Sequence, residues 1–126
     1  MNKDFKRRDE LLNLINEQYE CGGIVSFDNL DVETFKKLLD EDFVDPNRRQ
    51  NYSPTAYEFY EFMVKYPQLK AIGYAVSPKR SDYRISIEGL ICSDDISDEL
   101  KIEFKEFCEE ADELMVKTTR LRAWWD

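Results

Sequence analysis

The residues able to do chemistry in this chain are 27 carboxylates, seven tyrosines and three thiols, Cys21, Cys92 and Cys108, with no histidine among them. Without imidazole there is no side chain that titrates near neutrality unperturbed, no Ser-His or Cys-His nucleophile pair, and no use of the commonest transition-metal ligand. The cysteines stand 71 and 16 positions apart and form no Cys-x-x-Cys pair, so neither a zinc site nor a dithiol redox pair is indicated. Cys92 precedes the acids Asp94 and Asp95, which raise a thiol pKa, so a reactive thiolate is not expected there. Only four glycines occur, at 22, 23, 73 and 89, and no phosphate-cradling loop of the GxxxxGK[ST] or GxGxxG kind can be built from them. The acidic clusters at 40–42 and 94–99 lack calcium-loop spacing, since Val44 and Ile96 stand where oxygen ligands belong. The expectation is therefore no catalytic residue, no cofactor and no metal: a protein that binds and is not an enzyme. A carboxylate-based enzyme is kept as an alternative, with no residues to name.

The 126 residues suit one domain spanning 1–126, and the 42 % apolar content, including eight Phe and two Trp, supplies a core without staples. No apolar run is long enough to cross a membrane, and the first residues lack a signal-peptide stretch. An odd thiol count fits a reducing compartment, so the expected location is the cytoplasm.

Helical periodicity predicts four helices. The first covers Asp4 to Glu20 and is stopped by Cys21-Gly22-Gly23, and the second runs from Val32 to Phe43 behind an Asp31 cap. The third is capped by Ser53, with Pro54 at its first position, and ends before Pro67; the fourth, capped by Ser97 or Asp98, buries Leu100, Phe104, Phe107, Cys108, Ala111 and Leu114 or Met115. Period-two segments predict a hairpin, 69–77 with 83–92, and a C-terminal strand near 116–125 that buries Trp125 and leaves Trp124 partly outside. Facing Val76 with Tyr83 puts Ile72, Tyr74, Val76, Tyr83, Ile85 and Ile87 on one buried face and leaves Ala71, Gly73 and Ala75 bare on the outer one. The fold class read from this is α+β, four helices with a small antiparallel sheet in the order α-α-α-β-β-α-β.

Three helices, a short extended piece after the first, and a hairpin follow one another as in winged-helix domains, which the chain resembles in topology only. That resemblance implies nucleic-acid binding, with Arg48, Arg49, Lys79, Arg80 and Arg84 as anion-binding candidates. The third helix, which would enter the groove, carries Glu58 and Glu61 against one lysine, and the preceding loop is too long for a helix-turn-helix. Nucleic acid is thus the disfavoured partner. Residues 94–113 hold ten acids and two bases, much of the net −9, and would repel a polyanion. The surplus rings favour a protein partner or self-association, with Tyr57, Tyr60 and Trp124 as contact candidates.

Overall fold

The structure is a computed structural model that describes residues 1–14, 19 and 23–126. Helix α1 is Phe5–Leu12, strand β1 Ile24–Leu30, helix α2 Val32–Asp40 and helix α3 Ala56–Lys65. Strands β2 (Lys70–Val76) and β3 (Ile85–Cys92) precede helix α4 (Asp98–Phe107), and strands β4 (Glu113–Val116) and β5 (Leu121–Trp124) end the chain. The five strands form one antiparallel sheet ordered β1-β2-β3-β5-β4.

This corrects the expected small sheet and the expected order. Ile24 to Phe27 is not an isolated extended piece but the start of a seven-residue edge strand paired with β2. Helix α4 stops at Phe107, and Leu114 and Met115, read from periodicity as its last apolar positions, lie in β4, hairpinned to β5. Short apolar runs satisfy both periods, and here pairing with Leu121–Trp124 decides. With the helices layered on a five-stranded sheet, the winged-helix resemblance falls away.

Local chemistry sets most boundaries. Asp31 caps α2 by accepting from the Thr34 N–H at 2.8 Å, and Ser97 caps α4 through the Leu100 N–H at 3.0 Å. Helix α3 starts two residues later than Ser53 would place it, because Thr55 and Glu58 form a reciprocal capping box. Helix α1 is shorter than expected, closing at Asn13 in the left-handed region with φ 56°. The stop expected at Cys21-Gly22 lies outside the described residues.

The hairpin register is one residue away from the expected one. Tyr74 faces Ser86, Ala75 faces Ile85 and Gly73 faces Ile87, so the small side of β2 points into the core and Ile72 and Tyr74 point away from it. Between Ile72 and Gly73 the register shifts, Ile72 facing Gly89, so Glu88 is an extra residue on β3. The bulge changes parity, which is how Ile85 and Ile87, then Leu90 and Cys92, all reach the same core. Ala71 and Ala75 are fully buried there. The same core holds a cluster of rings: Phe59 packs edge-on against Trp125 (5.4 Å) and Phe107 (6.0 Å), while Phe62 stacks on Phe107 at 4.3 Å. Helix α3 is the central helix, with α2 on one flank through Phe35 and Tyr60 and α4 on the other.

At the end where β2 and β3 meet, α1 inserts Arg8, which is fully buried. Its guanidinium donates to Asp9 Oδ1 (3.1 Å), the Val76 carbonyl (2.9 Å) and Tyr19 Oη (2.6 Å), and it lies 4.6 Å from the Tyr83 ring centre. Tyr19 in turn donates to Asp9 at 2.9 Å, and burial pushes its phenol pKa well up.

Candidate functional site: the uncovered face of the sheet

The helices cover one face of the sheet. On the other, the positions alternating with the core residues are Ser26 of β1, Ile72 and Tyr74 of β2, Ser86 and Ile91 of β3, and Arg122 and Trp124 of β5. Of these, Ser26, Ile72, Ile91, Arg122 and Trp124 line an open cleft of about 290 Å³, together with Glu88. Ile72 is only 9 % exposed although it turns its back on the helices, because its neighbours on this face cover it. Burial lifts the Glu88 carboxyl pKa, a hydrogen bond with the Trp124 side chain works against that rise, and the charge of Asp126 adds to it.

Beside the cleft runs a polar chain. The loop between α2 and α3 reaches the part of β3 that β5 does not pair with, and Gln50 Nε2 donates to Ser86 Oγ at 2.8 Å. Across the ladder, Arg84 Nη2 donates to Tyr74 Oη at 2.8 Å and Nη1 to Asp82 Oδ2 at 3.0 Å. Burial would raise the Tyr74 phenol pKa, but hydrogen bonds with Ser86, Gln50 and Arg84 and the guanidinium charge bring it below its ordinary value.

The anion-binding candidates divide between two places. Arg80 and Arg84 meet on Asp82, with Arg80 Nε and Nη2 at 2.9 and 2.8 Å from its two oxygens, so one carboxylate serves both. Lys79 is exposed beside them. Arg48 and Arg49 are exposed on the loop along the β3 edge, where they border a small pocket with Ser86. The contact candidates also separate. Tyr57, about half exposed, and Tyr60, partly covered against Phe35, sit 6.1 Å apart in the helix layer, whereas Trp124 is on the uncovered sheet face and Trp125 is 1 % exposed beneath it. The residues that sequence reading missed are Ile72, Tyr74, Ser86, Gln50 and Arg122. The available signal was Gly89 after a Glu in a strand, a bulge marker that reverses the parity.

Among the described residues no three His, Cys, Asp or Glu side chains gather as a metal site. A second cleft, about 330 Å³ between the end of α1 and β1, has Asp28 as the one carboxylate among its described residues. Cys92 is buried, with its thiol 3.0 Å from the Asp94 carbonyl, and burial raises its pKa; Cys108 is buried deeper and raised further. No described helix is long and apolar enough to cross a membrane. Comparison with protein-family models, with curated proteins and with solved structures gives no match to this chain.

Proposed function

We propose that this chain is a small non-catalytic protein-interaction domain that works in the reducing cytoplasm, and that its contact surface is the uncovered sheet face around Trp124. The observation that carries this reading is the cleft itself: a broad, shallow surface in which an indole and two isoleucines are interleaved with Arg122 and Glu88. Large rings beside arginines are what protein interfaces concentrate, since they bring contact area at low entropic cost. Buried free thiols at Cys92 and Cys108 suit a compartment that keeps cysteines reduced.

The test is affinity capture with the full chain and with two variants, Trp124→Ala and Tyr57→Ala, each checked for an unchanged circular dichroism spectrum. A partner held by the wild type and by Tyr57→Ala but lost by Trp124→Ala supports the reading. A partner lost with Tyr57→Ala and kept by Trp124→Ala places the surface in the helix layer and refutes it, as does turnover of any substrate by the purified protein.

A further inference from the structure

The sheet has two edges, and they differ. Strand β1 carries Ser26, Asp28 and Asn29 and breaks register between Phe27 and Leu30, which blunts it as a template for another strand. Strand β4, at the opposite edge, reads Glu113-Leu-Met-Val116, is regular over all four pairs with β5, and leaves Leu114 39 % exposed. Acids precede it at Glu109, Glu110 and Asp112, and bases follow at Lys117 and Arg120.

We infer that β4 is a self-association edge, and that two copies of this chain join by antiparallel β4–β4 pairing centred on Met115. The inference concerns the edge of the sheet and stands independently of the function proposed for its face. Backbone parity selects the register. The Lys117 N–H donates to the Arg120 carbonyl at 2.9 Å, closing the hairpin, so Lys117, Met115 and Glu113 turn their hydrogen-bonding groups toward β5. Leu114 and Val116 therefore point theirs outward, and a second strand must pair through those two residues. Pairing Leu114 of each copy with Val116 of the other uses both, closing two reciprocal hydrogen-bonded rings.

The same register places Glu113 opposite Lys117 of the second copy, twice, with Met115 opposite itself and aliphatic opposite aliphatic on the helix side. Opposite charges directly across a ladder stabilise it, and like charges weaken it. A parallel arrangement would set acid on acid and base on base. Shifting the antiparallel pair by the next allowed step puts Leu114 on Leu114 and Glu113 on Met115, which loses one hydrogen-bonded ring and both charge pairs. The net −9 on each copy opposes contact, so the dimer is a concentration-dependent one.

The test combines mass measurement with crosslinking on the full chain. In sedimentation velocity over a concentration series, the mean mass should rise from 15.0 kDa toward twice that value. Glu113→Lys or Lys117→Glu alone should each weaken association roughly tenfold, and the two together should recover part of that loss, because the pairs across the interface are reversed while the contact of Glu113 with Arg122 of its own chain, 3.3 Å, is given up. In a Cys21→Ser background, Met115→Cys should oxidise to a covalent dimer, since residues facing each other in a non-hydrogen-bonded pair lie about 4.5 Å apart at Cα. Leu114→Cys should not. A protein that stays monomeric throughout, a dimer indifferent to the charge reversals, or crosslinking through position 114 in place of 115 would each overturn the inference.

Discussion

Replacing Arg8 tests how the N-terminal helix is held to the sheet. Arg8→Met keeps the stem's volume and removes the guanidinium, leaving Asp9, itself 3 % exposed, with the Tyr19 hydroxyl as the remaining donor to Oδ1 among the described residues and Oδ2 without a partner among them. The Val76 carbonyl loses its side-chain donor as well. Breaking a buried pair by removing one partner costs about 3–5 kcal/mol, because the other charge stays desolvated and uncompensated. Against a typical total of about 5–15 kcal/mol, such a loss leaves the domain near its folding threshold. With a urea slope of roughly 1–3 kcal/mol per molar, the midpoint should fall by about 2 M. The double variant Arg8→Met with Asp9→Leu removes both charges and should recover most of the loss, to within about 1 kcal/mol of the wild type, since replacing a buried pair by apolar groups is often neutral. Urea unfolding followed by tryptophan fluorescence reads all three, Trp125 being buried at 1 % exposure. A single variant that loses less than about 1 kcal/mol, or a double variant no better than the single, would refute the claim that this pair is held by mutual compensation.

Two further outcomes follow from the sheet. Ala75→Leu should cost about 1–3 kcal/mol by overpacking the core, read as a lower urea midpoint; a neutral effect would mean that Ala75 points away from the helices, as in the register one residue removed. Glu88→Gln should raise the urea midpoint at pH 7. Burial lifts the folded carboxyl above its ordinary 4.5, so its contribution is full in acid and is lost as the pH rises through the folded value. The gap between variant and wild type should close below about pH 4, and an equal or lower midpoint at pH 7 would contradict the burial argument.

The helices were largely legible because each carries its own punctuation. Asp31 and Ser97 cap where an oxygen before an apolar run should cap. Where two signals competed, Thr55 with Glu58 satisfied two backbone groups and displaced Ser53-Pro54. The sheet was less legible, since its partners are distant in sequence and strand identity depends on them. Ile24–Leu30 and Glu113–Val116 are ordinary short runs until β2 and β5 accept them. The candidate site suffered most. Trp124 was found, because Trp125 and Trp124 must alternate, but Arg48, Arg49, Lys79, Arg80 and Arg84 were grouped by charge alone, and Asp82 already sits between two of them.

The register error has one physical origin. Reading Ile72, Tyr74 and Val76 as the buried side of β2 assumes that the larger side chains always face inward, which holds when the opposing layer is made of side chains of ordinary size. Helix α3 is not such a layer, for its Phe59 and Met63 are fully buried, and Phe62 stacks with Phe107 of α4. A core filled to crystal-like density has a fixed volume to share, so a layer this rich in rings favours alanine on the facing strand, as at Ala71 and Ala75. Gly73 is small for a separate reason, since a β-carbon there would collide with the Ser86 carbonyl of β3, next to the register shift, and press on the Phe27 ring of β1. The excess of rings on α3 and the bareness of β2 are therefore one packing solution, and the larger residues displaced from the core, Ile72 and Tyr74, are what furnish the opposite face with its apolar and aromatic side chains.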